Sequence, residues 1–162
     1  MHSSSLRNVC IDHRILICRR PFDDVHAALV AALPAVKPEL GKILADDDTA
    51  EVDLARREWP KLWLFLTRDH GKLTAADGLS SKAMQYEIGN PLTAERMSRY
   101  NLVAGLYAPL RAYLYENKDR IACFEYDLPS SLFSQFGDPR ITEVGLELDL
   151  ELESVLESSA GY

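Results

Sequence analysis

The sequence predicts an α+β domain: a mixed, mostly antiparallel sheet with the first and last helices packed on one of its faces. Three observations lead there. Several stretches alternate apolar and polar residues with period two, as strands do, while one stretch near each end repeats apolar residues at helical spacing. A chain of 162 residues that is 47% hydrophobic builds one sizeable core and has no room for a second domain. Residues 1–162 therefore read as a single domain with a flexible N-terminus at 1–8, a helical insertion at 37–60 and a flexible C-terminus at 158–162.

The first strand is expected at 9–18, where Val9, Ile11, His13, Ile15 and Ile17 share a side opposite Asp12 and Arg14. Pro21 opens a helix with Asp23 and Asp24 near its positive dipole end and an apolar face of Phe22, Val25, Leu29, Ala32 and Leu33, and Pro34 stops it. Asp48-Thr49-Ala50-Glu51 resembles a capping box, which places a helix at about 49–58. Residues 61–69 form a strand with two apolar faces, Leu62, Leu64 and Leu66 on one and Trp63, Phe65 and Thr67 on the other. After a loop at His70-Gly71, a strand at 83–88 runs through Gly89 straight into a helix at 91–100, for which Asn90 is a preferred N-cap and Pro91 suits the first position.

Residues 106–115 alternate, with Leu106, Ala108, Leu110, Ala112 and Leu114 on one face and Tyr107, Pro109, Arg111, Tyr113 and Tyr115 on the other. A turn at 116–119 returns the chain as a strand at 120–127. If Tyr115 opposes Arg120, then Ala122, Phe124 and Tyr126 join the face of Tyr113 and Arg111. A loop at 128–137 precedes a last helix from Pro139, with Ile141, Val144, Leu148, Leu152 and Val155 as its stripe. Its acidic side, Glu143, Glu147, Asp149, Glu151, Glu153 and Glu157, reads as solvent surface.

The net charge of −7 opposes binding along a phosphate backbone, so nucleic acid is not an expected partner. Residues 1–8 are polar and no segment approaches the roughly 20 apolar residues of a membrane span, so the expectation is a cytoplasmic protein without a membrane partner. Cys10, Cys18 and Cys123 show no paired zinc spacing and read as reduced. Asp69, His70, Glu87, Glu125 and Asp127 could converge, but no HxxxH or HExxH pair fixes two ligands in advance, so neither a metal nor any other cofactor is expected.

The expected pairing would leave Trp63, Phe65, Tyr107, Tyr113, Tyr115, Phe124 and Tyr126 with Arg111 on a sheet face that needs a cover. A second copy of the chain, the 37–60 segment or a ligand could supply it.

Three motifs also carry a family resemblance: Tyr86-Glu87-Ile88-Gly89-Asn90-Pro91-Leu92, Tyr107-Ala108-Pro109-Leu110-Arg111 and Tyr126-Asp127-Leu128-Pro129-Ser130-Ser131-Leu132. In order and spacing the chain, from about 21 to 156, resembles the domain of unknown function 302 family. That resemblance implies a small α+β fold, commonly a homodimer, and brings no established activity or catalytic residue. The 37–60 segment looks longer than the family's compact form.

Two classes of function and a blander third follow. In the first, a binding module holds a small anionic or aromatic ligand between the Gly89-Asn90-Pro91 helix start and the tyrosine and arginine face, using Asn90, Arg96, Arg111, Tyr107, Tyr126, Ser130 and Ser131. Against it, Asn90 could cap only its own helix and Arg99 could pair with Glu95 along it. In the second, an enzyme acts on a small organic substrate with Glu87 or His70 as general base and Arg96 or Arg111 on a carboxylate. Ser130, Ser131, His70 and Asp127 hold the ingredients of a nucleophilic set, but no GxSxG elbow presents them. The third is a purely structural homodimer.

Overall fold

Residues with period-two patterning line up as five strands of one sheet in the order β1-β5-β4-β3-β2, in a computed structural model that describes residues 4–36, 54, 57–75 and 82–162. The strands are β1 (His13–Ile17), β2 (Trp63–Asp69), β3 (Ala83–Gly89), β4 (Leu110–Glu116) and β5 (Ala122–Asp127). Every neighbouring pair is antiparallel, and Ala35, outside the strands, makes a parallel bridge to Leu64 of β2. The helices are α1 (Phe22–Ala32), α2 (His70–Ala75), α3 (Pro91–Ser98), α4 (Pro129–Ser134) and α5 (Pro139–Ala160), with a 3-10 helix at Leu102–Tyr107. The helix expected at about 49–58, and most of the 37–60 insertion, lie outside the described residues.

The expected α+β class holds. Phe22, Val25 and Leu29 of α1 and Ile141, Val144, Leu148, Leu152 and Leu156 of α5 are buried against one sheet face, which contributes Tyr86, Ile88, Leu110, Ala112, Leu114, Phe124 and Tyr126. Fully buried Tyr86 spends its hydroxyl on His26 of α1, at 2.7 Å from Nδ1, and burial raises its pKa well above the ordinary phenol range. Asp138 caps α5 through Arg140 N, and Gly161 closes it in the left-handed conformation at φ 98°. At the C-terminus Tyr162 donates from Oη to Ile17 O at 2.7 Å, and the Arg19 guanidinium sits over its ring.

Several expectations need correction, among them the loop at His70-Gly71, which is the first turn of α2. The strand expected at 106–115 begins at Leu110, because Asn101 caps a 3-10 helix by accepting from Val103 N and Pro109, after a cis peptide bond, has no N–H to give a ladder. The loop expected at 128–137 contains α4. In β1 the supposed inner side faces outward: Ile15 and Ile17 are 60% and 57% exposed, while Leu16 packs on the core.

The largest correction concerns the β4–β5 register. Tyr113 opposes Glu125 and Tyr115 opposes Cys123, an offset of three residues from the expected pairing. An odd slip exchanges the two faces of a strand. Phe124 and Tyr126 therefore enter the core with Leu114 and Ala112, and Cys123, Glu125 and Asp127 stand beside Tyr115, Tyr113 and Arg111. Trp63, another member of the supposed aromatic face, is buried edge-on to Trp59.

The acidic side of α5 also does more than face water. Glu147 takes a bidentate bond from Arg96 at 2.7 and 2.9 Å, Glu153 pairs with Arg14 at 2.5 Å, and Asp149 accepts from Ser130 N at 2.8 Å. These carboxylates tie α3, β1 and α4 to the long helix.

Candidate functional site

The three sequence motifs are all junctions, and the sheet brings them to one end. Tyr86 to Leu92 leaves β3 for α3, Tyr107 to Arg111 enters β4, and Tyr126 to Leu132 leaves β5 for α4. Ile88 opposes Leu110 and Ala112 opposes Tyr126, so the antiparallel ladder sets the three side by side. Two cavities open between them.

The larger, about 410 Å³, lies at this end of the face turned away from α1 and α5, walled by Glu87, Tyr107, Pro109, Arg111, Asp127 and Leu132 among others. Arg111 stands opposite Glu87 across the ladder. Glu87 Oε1, however, already takes Arg68 Nη1 at 2.6 Å, and Asp127 Oδ1 takes His13 Nδ1 at 2.8 Å. Both neighbouring carboxylates are drawn sideways, and among the described residues Arg111 makes no ion pair. Tyr107 reaches Gln135 with its hydroxyl at 3.3 Å and packs its ring edge-on to Phe133 and Phe136.

The smaller cavity, about 150 Å³, is apolar and sits under the Gly89-Asn90-Pro91 turn. Asn90 serves the backbone at both ends of its amide: Oδ1 accepts from Leu92 N at 2.9 Å and Nδ2 donates to Pro60 O at 3.0 Å. The Leu92 N–H, a backbone donor at this helix start, is thus already bonded.

Of the other candidate residues, Arg96, Tyr126, Ser130, Ser131 and His70 line neither cavity. Arg96 is paired with Glu147, and Arg99 with Glu95 at 2.6 Å. Tyr126 is 3% exposed on the core side. Ser131 accepts from Asp12 N and donates to Leu128 O at 2.8 Å, and Ser130 gives its N–H to Asp149, so both serines serve the start of α4. Of the candidate bases, Glu87 is held by Arg68, and His70 begins α2 with its ring edge-on to Tyr113 at 5.6 Å.

A polar cluster that the sequence did not single out occupies the same face. His13 on β1 bonds Asp127 through Nδ1 and Glu125 Oε2 through Nε2 at 3.1 Å, and Tyr115 donates to Glu125 Oε1 at 2.5 Å. Hydrogen bonds to Asp127 first and Glu125 second raise the His13 pKa. The Tyr115 hydroxyl, then the imidazole, lower that of Glu125, and the same bond pushes Tyr115 up to about 12. Both ring nitrogens lie at hydrogen-bonding distance from carboxylate oxygens, an arrangement that favours the imidazolium form, in which no lone pair is left for a general base. Its signal in sequence is the Glu125 and Asp127 spacing, two acids on one side of a strand, legible only once β1 is known to pair with β5.

Among the described residues no group of three His, Cys, Asp or Glu side chains is arranged to hold a metal ion, and no helix is long and apolar enough to cross a membrane. Cys18 and Cys123 are buried free thiols and Cys10 is exposed.

Residues 60–159 match the domain of unknown function DUF302. The chain belongs to that family. The match covers all three motifs of this DUF302 domain and the strands that position them. Among solved structures, the crystal structure of an uncharacterized conserved DUF302 protein from Bacillus stearothermophilus aligns with a TM-score of 0.64 at 15% identity, over 89% of this chain and 94% of that one. At that identity the likeness is one of fold. No curated protein matches the chain.

Proposed function

We propose that this DUF302 domain is a binding module for a small organic anion, with Arg111 receiving a carboxylate in the 410 Å³ cavity and Tyr107, Pro109 and Leu132 enclosing the apolar remainder. One observation carries the reading: a guanidinium in the wall of a concave site whose neighbouring carboxylates are already bonded elsewhere. A carboxylate matches the planar guanidinium in a two-point bond, and the volume falls within the range of small-ligand sites. Glu87 and Asp127 at the rim disfavour ligands of high negative charge, which points to monocarboxylates rather than polyphosphates.

The test is a thermal-shift screen with small monocarboxylates at millimolar concentration. At a concentration of 100 Kd a ligand stabilises by about 2.7 kcal/mol, well within detection. Stabilisation is expected in the wild type and abolished in Arg111→Ala, with the melting temperature of the free variant unchanged. The reading fails if no monocarboxylate shifts the transition, or if the shift survives in Arg111→Ala.

A further inference from the structure

The 150 Å³ cavity under the Gly89 turn raises a separate question, because it is lined almost wholly by apolar groups and opens beside the motifs. Its walls include Phe65, Pro91, Ala94, Pro109 and Phe133, drawn from β2, α3, the entry to β4 and α4. Water needs two to four polar partners to settle in such a space. Polar groups make up only a small part of this lining, and Asn90 already spends one bond at each end of its amide on Leu92 N and Pro60 O. Because the cavity opens to solvent, its apolar walls face water unless something covers them.

Gly89 supplies an independent observation. A Cβ built there would meet Pro109 Cα and Cβ at 3.7 Å and Phe65 Cε2 at 3.8 Å, ordinary van der Waals distances. Its φ is not positive, unlike those of Gly137 and Gly161. Neither crowding nor backbone conformation therefore requires glycine at the end of β3, where an interior glycine weakens a strand. The space that a side chain would occupy borders two walls of the cavity, and the chain leaves it open.

We propose that this cavity is a binding site for an uncharged aromatic ring or a short branched aliphatic group, formed where Gly89 leaves room between Phe65 and Pro109. A benzene-sized group seated there would withdraw its own apolar surface and that of the walls from water, which fits the lining found here. The site is distinct from the Arg111 cavity, shares with it the Ala108-Pro109-Leu110 wall, and stands or falls without it.

The probes are benzene and toluene, followed by the Met97 methyl resonance and by melting temperature, since Met97 lines the cavity and is otherwise buried. The wild type is expected to show saturable shifts of that resonance and a raised melting temperature with either probe. Ala94→Leu, which fills the space, should weaken binding at least tenfold, and Arg111→Ala should leave it unchanged. Gly89→Ala, whose added methyl meets only ordinary contacts, provides a folded variant with reduced binding should Ala94→Leu fail to fold. The assignment is overturned if neither probe binds up to its solubility limit, if folded filled variants bind as tightly as the wild type, or if Arg111→Ala abolishes benzene binding. Failure of monocarboxylates together with binding of benzene would sink the anion reading alone.

Discussion

Gly145 lies where α5 meets the start of α4, and alanine there should reverse the usual sign of a glycine substitution in a helix. Ordinarily the exchange gains about 1 kcal/mol from propensity. Here the new Cβ would stand 2.9 Å from Ser130 Cα, 3.3 Å from Ser130 N and 3.4 Å from Phe133 Cβ. The two closest obstacles are backbone atoms, so no side-chain rotation relieves the clash. Moving α4 outward would stretch the Ser130 N–H bond to Asp149 Oδ1, now 2.8 Å. Overpacking costs about 1–3 kcal/mol and the strained hydrogen bond about 1 kcal/mol, so after the propensity gain the net loss is about 2 kcal/mol. For a chain of this size that lowers the melting temperature by about 4–8 °C, measurable by circular dichroism or calorimetry. A melting temperature equal to or above that of the wild type would show that the helices do not pack this closely. Gly89→Ala is the internal control: with contacts at 3.7 Å it should leave stability within about 0.5 kcal/mol of the wild type.

Three further outcomes follow from the fold. His13 has a folded pKa above its ordinary 6.5, so its contribution is complete below about pH 6.5 and fades as pH rises through the folded value. Glu125 lies below its ordinary 4.5, so its share is present above about pH 4.5 and is lost as acid passes its folded value. The melting-temperature gap between wild type and His13→Gln should be widest between those limits and close in alkali; with the His13 side chain 48% exposed the gap amounts to only about 0.5 kcal/mol, and a gap that grows with alkali would contradict the imidazolium. Tyr86→Phe removes a buried hydroxyl bonded to His26 and should cost about 1 kcal/mol by urea titration without loss of fold; an unchanged midpoint would mean the bond is not formed. Asn90→Ala loses the cap of α3 and the bond to Pro60 and should cost about 1–2 kcal/mol, whereas Asn90→Asp keeps the cap and should cost less; equal losses would refute the capping role.

The position of β1 explains why the histidine cluster matters to the fold. An edge strand pairs on one side only, and β1 is joined to the sheet through β5. The bonds from His13 to Asp127 and Glu125, with Arg14 reaching Glu153 of α5, fasten both sides of that strand. The charges excluded from the core thus hold the strand that the core holds least.

What was determined locally could be read from the chain itself. Asn90 before Pro91, Asp138 before Pro139 and the apolar stripe of α5 depend on residues within one or two turns, and the structure places helices at each. The three motifs likewise identified the family without any geometry. Tertiary structure decided which motif residues meet. A three-residue difference in how β5 lies on β4 moved Tyr126 from the supposed ligand face into the core and put Glu125 and Asp127 within reach of His13. Pairing across strands depends on side chains far apart in sequence, and alternation leaves the offset open because many offsets satisfy the same period. Arg111 was visible as a residue, but its lack of an ion pair among the described residues was not, since that follows from Arg68 and His13 claiming the carboxylates on either side.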